Sequence, residues 1–251
     1  MKKAILLVSY GVASKKLWEK SLRVLEEEIR RRWPKWQVCQ AFTGRRILEK
    51  FNAQGYEMPD ENQALHQLVE LGVEKIIVLP THLTFGSEYS KVMAAMSTTV
   101  PGSIAALPLL GSAISRRKVA EVLMRETERQ EEEAILYVGH GTKQDERAVY
   151  EELEKELYAV GQTEAIVGTL GSIDQTLKRI NVKKVMVVPL LLTAGKHALQ
   201  DVCGEGEESV VSRLRASGKE VCCVEKGLME YESIRRIYLE QLEELVQNFN
   251  L

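Results

Sequence analysis

The stretch Ala134-Ile135-Leu136-Tyr137-Val138-Gly139-His140-Gly141-Thr142 constrains this chain more than any other. Its apolar run is long enough for one buried strand and too short for a core helix. The glycines flanking His140 permit a tight turn and close backbone approach. One imidazole therefore stands at the carboxyl end of a strand, just ahead of a helix. Open α/β sheets bind their ligands along that edge. Residues 4–12 repeat the pattern, with Tyr10 in the place of His140. The chain reads as two copies of one plan.

Each half offers four strands alternating with helices. Strands are expected at 5–8, 36–42, 75–80 and 103–110, and again at 135–138, 164–169, 184–189 and 220–224. In the first half, Ser14 can cap a helix whose apolar face is Trp18, Leu22, Leu25, Ile29 and Trp33. Asp60 and Gln63 have capping-box spacing, and Gly72 is the expected residue just past that helix. The final helix carries Ile234, Tyr238, Leu242, Leu245 and Phe249 on one stripe. Regular strand–helix alternation argues for parallel sheets. The expected fold is α/β, with two similar doubly wound domains, each a four-stranded parallel sheet flanked by helices, and a cleft between them. The boundaries expected are 1–130 for the N-terminal domain and 131–251 for the C-terminal one, with the last helix free to pack on the first domain.

The chain is 45% hydrophobic, 28% charged and 6% aromatic, with a net charge of −2 and both signs mixed along its length. That is no electrostatic footprint for nucleic acid. The apolar run after Met1-Lys2-Lys3 is short for a signal sequence and lacks a small-residue cleavage site. No run approaches the roughly 18 apolar residues of a membrane span. A cytoplasmic protein without nucleic-acid or membrane partners is expected, and a homo-oligomer stays open. Cys39, Cys203, Cys222 and Cys223 form no CxxC pair, so buried free thiols are expected rather than a zinc site or a disulfide.

Superposing the third strand of each half, 76–80 on 185–189, aligns Gly86 with Gly195 and Glu88 with His197. Two pairs thus fall just beyond strand ends: Tyr10 with His140, and Glu88 with His197. Two neutral imidazoles and a carboxylate suit a first-row divalent ion such as Co²⁺, Fe²⁺, Ni²⁺ or Zn²⁺. They can also accept protons near neutral pH. A histidine after a glycine turn can equally be a capping residue, but two at equivalent strand ends weigh toward a site. His82 aligns with Leu191, which favours a structural role for it. His66 falls in the capped helix and is expected at the surface.

At these residues the chain resembles the anaerobic-type sirohydrochlorin cobaltochelatases of the class II chelatase superfamily. The resemblance runs through 8–11, 41–43, Pro80-Thr81-His82 with Gly86-Ser87-Glu88-Tyr89, 138–142, Ala194-Gly195-Lys196-His197-Ala198 and 226–230. It implies ATP-independent insertion of Co²⁺ into sirohydrochlorin on the anaerobic route to cobalamin, with Co²⁺ as substrate metal and no organic cofactor. By resemblance, His140 binds metal and takes protons from the macrocycle. His197 is a second metal ligand, and Glu88 shares the catalytic site. Tyr10, Glu88 and His197 are expected to contact substrate. Lys15, Lys16, Arg45, Arg46, Lys143 and Lys196 are candidates for the tetrapyrrole's carboxylates. Two positions depart from the family. Gly171 stands where a metal-binding Glu is usual, with Asp174 three residues on, and Tyr10 replaces a Phe. The alternatives are a ferrochelatase or nickel chelatase acting on a related tetrapyrrole, or a non-catalytic tetrapyrrole or metal carrier, which Gly171 favours.

Overall fold

A computed structural model describes residues 2–100, 102–141 and 144–249, with the backbone alone at 144–147 and 249. Thr142, Lys143 and the side chain of Phe249 lie outside the described residues. The chain divides into two compact units, residues 1–112 with 235–251, and residues 113–234. The division thus differs from the boundary expected at residue 130. The helix Ala113–Glu126 packs with the second unit, and the last helix from Arg235 onward counts with the first.

The first unit holds β1 (Lys2–Ser9), β2 (Gln37–Phe42), β3 (Val73–Pro80) and β4 (Ile104–Ala105) in the order β2-β1-β3-β4. Every pairing is parallel. β1 lies in the middle and is apolar along its buried stretch, Ala4 to Val8. That is the signature of a strand covered on both faces. One layer of the core joins Leu6, Val8 and Val78 to Leu65 and Leu68 of the capped helix and to Val92 and Met96.

The helices carry the expected apolar faces, with two differences, and one strand is shorter than expected. The helix expected from Ser14 to Trp33 is two helices, α1 (Lys15–Glu19) and α2 (Leu22–Arg32). Ser21 sits at the break, and its hydroxyl donates back to the Leu17 carbonyl, a contact that competes with the helical ladder. After α3 (Arg45–Asn52), the capping box at α4 (Glu61–Glu70) forms as expected, with Gln63 N on Asp60 Oδ1 at 2.8 Å and Asp60 N on Gln63 Oε1 at 3.0 Å. α5 (Ser87–Thr99) was not expected, although Tyr89, Val92 and Met96 recur at helical spacing and are buried. β4 is much shorter than 103–110, because Pro108 cannot donate to a ladder; Leu109 N and Leu110 N bond instead to the loop carbonyls of His82 and Leu83, each at 2.9 Å.

The second unit repeats the order as β6-β5-β7-β8, again all parallel. Its strands are β5 (Glu133–Gly139), β6 (Ala165–Thr169), β7 (Lys184–Leu190) and β8 (Glu220–Cys223). α6 (Ala113–Glu126) and α7 (Gln144–Ala159) are joined by Arg116–Glu152 and Arg117–Glu156 ion pairs at 2.5 and 3.5 Å. α8 (Ile173–Leu177) and α9 (Val210–Ala216) complete the layers, and α10 (Glu232–Phe249) closes the chain. Tyr137 of β5 is fully buried but not unsatisfied: its hydroxyl meets Thr127 Oγ1 at 2.7 Å and Gln162 Oε1 at 3.1 Å. Among the described residues no helix is long and apolar enough to cross a membrane.

The cysteines depart from expectation. Cys203 and Cys223 are joined in a disulfide, with Cα atoms 5.6 Å apart; Cys39 is free and partly buried, and Cys222 is free and exposed. Strand alternation explains the split of the adjacent pair, since successive side chains leave opposite faces. Which face meets Cys203 depends on a contact 20 residues away in sequence.

Two stability outcomes follow from these contacts. Tyr238 is wholly buried on α10, and its hydroxyl donates to the Thr81 carbonyl at 2.8 Å. Tyr238→Phe leaves that carbonyl unpartnered, so urea unfolding should show a loss of about 1–3 kcal/mol. Cys203→Ser opens the loop between residues 203 and 223, which should destabilise the second unit by about 3 kcal/mol on the chain-entropy argument. The check is a lower denaturation midpoint without reductant and no difference from the parent protein with it.

Candidate functional site

The parallel register of the second unit builds the site. β5 and β7 are neighbours, with Val138 opposite Pro189 and Gly139 opposite Leu190. Both strands end at the same edge, and each hands the chain to a segment that begins with a histidine-bearing turn. The rings of His140 and His197 lie 4.7 Å apart, centroid to centroid, and cross at 81°. Both side chains are exposed at that edge.

The turn that carries His140 admits only glycine on either side. Gly141 has a φ of +51°, and a Cβ there would meet Thr169 Cγ2 at 2.4 Å. A Cβ at Gly139 would meet the Tyr150 ring at 2.5 Å. The backbone thus passes hard against β6 and α7, and the imidazole between the glycines projects from a fixed base.

His197 is positioned from a different direction. It opens a π-helical turn, His197–Val202, whose Ala198 and Val202 are buried. The loop before it is held by Leu228 N on Leu191 O and Met229 N on Leu192 O, each at 2.9 Å. Gly227 lies so close that a Cβ there would stand 2.4 Å from Thr193 Cα. Within the turn, His197 Nδ1 meets Asp201 Oδ2 at 2.5 Å. A carboxylate only accepts, so Nδ1 carries the proton and Nε2 keeps its lone pair. This is the arrangement by which proteins orient a metal-binding imidazole. Sequence reasoning missed Asp201, although the His-x-x-x-Asp spacing would have placed both residues on one helical face.

Two imidazoles so placed can share one cation. With a metal–nitrogen bond of 2.0–2.1 Å, two rings in adjacent coordination positions have centroids about 4.5–5.2 Å apart, and the observed separation of 4.7 Å falls within that range. Among the described residues no cluster of three or more His, Cys, Asp or Glu side chains has metal-holding geometry. Gly171 stands beside the His140 turn: a Cβ there would meet the Gly141 carbonyl oxygen at 2.9 Å. Asp174 is engaged in an ion pair with Arg213.

The other expected residues belong to the first unit, at the carboxyl edge of its sheet. Tyr10 follows β1; it is half exposed, and its ring lies against Gly44. Glu88 opens α5 and pairs with Lys91 at 2.8 Å. His82 follows β3 with its ring nitrogens buried, and burial lowers its pKa to about 4. His66 is exposed on α4. Of the basic candidates, Arg45 pairs with Glu49 at 3.2 Å and Lys15 with Glu19 at 3.7 Å, while Lys143 lies outside the described residues.

The fold has solved counterparts. SirB from Bacillus subtilis with Fe³⁺ superposes with a TM-score of 0.67, covering 97% of this chain and 95% of that one at 16% identity. The sirohydrochlorin chelatase SirB from Bacillus subtilis subspecies spizizenii, in complex with cobalt, superposes with a TM-score of 0.66 over 99% and 97% of the two chains, also at 16% identity. The two-domain chelatase fold is thereby shown. In sequence, the chain is 30% identical over 254 residues to the sirohydrochlorin cobaltochelatase CbiKC of Nitratidesulfovibrio vulgaris, covering 96% of this chain and 89% of the relative. It is 27% identical over 255 residues to the sirohydrochlorin cobaltochelatase of Salmonella typhimurium, covering 97% and 96%. The model of the cobalt chelatase (CbiK) family matches residues 3–247, and the chain belongs to that family.

Proposed function

We propose that this protein inserts Co²⁺ into sirohydrochlorin, without ATP, on the anaerobic route to cobalamin, and that it works in the cytoplasm. The observation that carries the reading is the pair His140 and His197, with rings 4.7 Å apart and His197 oriented by Asp201. The sirohydrochlorin cobaltochelatases to which the chain is similar support the choice of substrate and metal.

In this reading Co²⁺ is cargo, held by His140 and by Nε2 of His197. Two protein ligands leave coordination positions for water and then for pyrrole nitrogens. Metal insertion expels two ring protons. His140 takes one of them as its bond to the metal loosens, and the Glu88 carboxylate is assigned to the other. Tyr10 offers an exposed aromatic face to the macrocycle. Arg45, Arg46, Lys15, Lys16 and Lys196 are assigned to its peripheral carboxylates, for which guanidinium and ammonium groups are suited. Holding metal and ring in attack geometry supplies much of the rate without a cofactor.

A second reading, a tetrapyrrole or metal carrier, is favoured by one observation: Gly171 offers no carboxylate where the family usually has one. Absorbance-monitored insertion into sirohydrochlorin, with Co²⁺, Fe²⁺ and Ni²⁺ in parallel, separates the readings. Multiple turnovers with Co²⁺ support the chelatase. A stoichiometric spectral shift without released product supports the carrier, and faster turnover with Fe²⁺ or Ni²⁺ reassigns the metal.

His140→Ala should lower cobalt insertion by about 100-fold or more while circular dichroism and the melting temperature stay near those of the parent. Normal turnover by that variant would sink the assignment. Asp201→Asn removes the anionic partner of His197 and should weaken Co²⁺ binding about 10–100-fold. Equilibrium dialysis with Co²⁺ measures it, and an unchanged dissociation constant would show that Asp201 does not orient the ligand.

A further inference from the structure

The second unit carries a covalent link at the end of the turn that bears His197. That turn runs from His197 to Val202, and Cys203 caps it. Cys203 N donates to the Ala198 carbonyl at 2.9 Å, five residues back, and so closes a π-type ring. Its Sγ is bonded to Cys223, the last residue of β8. Cys223 lies in register with Val187 of β7, and Val224 N donates to the Val187 carbonyl at 2.9 Å. The turn is therefore referenced to β7 at both ends. Its start follows from β7 through residues 191–196, and its end returns to β7 through the disulfide and β8. Asp201, which orients His197, stands two residues before the bridged cysteine.

The other ties described at that end are hydrogen bonds. Ser209 Oγ donates to the Gly204 carbonyl at 2.5 Å, and Ser212 Oγ to the same carbonyl at 3.5 Å. Turns of the i→i+5 type are rare and cluster at functional sites. A covalent tether at the end of this one narrows the set of conformations open to His197 and Asp201. Both bridged cysteines are partly exposed, within reach of a small thiol. Cys222 takes no part: it leaves the opposite face of β8, and its thiol donates to Glu133 Oε1 at 3.7 Å. In the cytoplasm, where this protein is proposed to work, thiols are kept reduced, and a disulfide is usually transient, catalytic or redox-sensing.

We propose that Cys203 and Cys223 form a reversible thiol–disulfide site that sets the affinity of the imidazole pair for its cation, high with the bridge closed and low with it open. This rests on the chelatase reading above, in which His140 and His197 hold Co²⁺. The exchange balances. A thiolate of a small dithiol attacks one sulfur of the bridge; the S–S bond breaks, a mixed disulfide forms, and the other cysteine leaves as a thiolate that takes a proton. The second thiolate of the dithiol attacks the mixed disulfide, and the second cysteine leaves in the same way. Two electrons pass from the dithiol, which becomes a disulfide, to the cysteine pair. With the bridge open, binding Co²⁺ has to order the turn as well, and the affinity falls. The coupling is reciprocal: bound Co²⁺ favours the closed bridge by the same factor by which the bridge favours Co²⁺.

The test uses the full-length protein with Co²⁺ alone as probe. Protein with the bridge closed is compared, by anaerobic equilibrium dialysis, with protein reduced by a phosphine that is then removed. Reduction should raise the dissociation constant about tenfold, a coupling of ordinary size between two sites. Free thiols can bind Co²⁺ themselves, so the double variant Cys203→Ser, Cys223→Ser supplies the open state without them. Its dissociation constant should be raised by the same factor, with or without reductant, while Cys222→Ser, which leaves the bridge in place, should match the parent. Should the double variant not fold, a redox titration of the parent decides. In a dithiol buffer, saturating free Co²⁺ should move the midpoint of the cysteine pair about 30 mV more negative, which is tenfold for a two-electron couple. A dissociation constant that changes less than twofold on opening the bridge overturns the proposal, and so does a midpoint that Co²⁺ leaves in place or moves positive. Failure of the parent reading looks different. There the bridged protein binds no Co²⁺, or binds it as tightly with His140→Ala and His197→Ala, and the redox site falls with the pair. Binding that needs both histidines but ignores the bridge strikes the redox site alone.

Discussion

The register between β5 and β7 is the constraint on which the site depends. With Val138 set opposite Pro189, two strands of one parallel sheet end level with each other. The turns that follow then start from points one strand spacing apart, about 4.8 Å. His140 directly follows β5, whereas His197 is reached through the loop held by Leu228 and Met229 and opens the π-helical turn, which together bring the two rings to 4.7 Å. The glycines at 139 and 141, the Gly227 contact and the Asp201 hydrogen bond all refine an arrangement that the hydrogen-bonded ladder creates.

The duplicated plan produces two edges of different character. In the second unit the edge carries two imidazoles, groups with lone pairs suited to a first-row cation. In the first unit the equivalent edge carries a half-exposed tyrosine, the Glu88–Lys91 pair and a buried neutral histidine. Lys91 compensates the charge of Glu88 at that edge. The backbone plan is shared by the two units, and the residues at the strand ends set their different chemistry.

Much of this was legible in the sequence. Continuous apolar runs ending in glycine marked the central strands, and the internal repeat put Tyr10, Glu88, His140 and His197 just past strand ends. The capping box at Asp60 and the positive-φ turn at Gly72 followed from local chemistry alone. What was not legible depended on contacts distant in sequence or on competition within a helix. The break at Ser21 arises because a hydroxyl bonds a carbonyl four residues back, which a pattern of apolar residues does not register. The Cys203–Cys223 bond depends on how β8 meets the end of the π-helical turn. α5 lacks a side-chain cap at Gly86, so its start carries no local signal, although its buried residues recur at ordinary helical spacing. The π-helical turn at His197 has no compositional signature, and Asp201 was overlooked with it. The alignment of His82 with Leu191 favours a structural role, and that both its ring nitrogens are buried without a partner is visible only in the fold.

Gly171, where the resemblance implies a carboxylate, bears on how the proposed chelatase treats its cargo. A resident metal is served by tight, charge-neutralising ligation. A cargo metal has to leave its protein ligands for a ring whose nitrogens become anionic as they lose their protons. A carboxylate that stabilised the loaded state more than the transition state would lower kcat, since only interactions stronger in the transition state accelerate the step. In the reading proposed above, two neutral imidazoles hold the divalent ion without cancelling its charge, and Asp201, bonded to His197, supplies negative charge from one bond further away. The close approach of Gly171 to the Gly141 carbonyl fits the same economy, since a side chain there would push on the turn that aims His140. Under the chelatase reading proposed above, weak ground-state ligation with its charge compensation moved outward to Asp201 favours transfer, whereas the carrier reading takes the same Gly171 as the loss of a ligand that turnover needs.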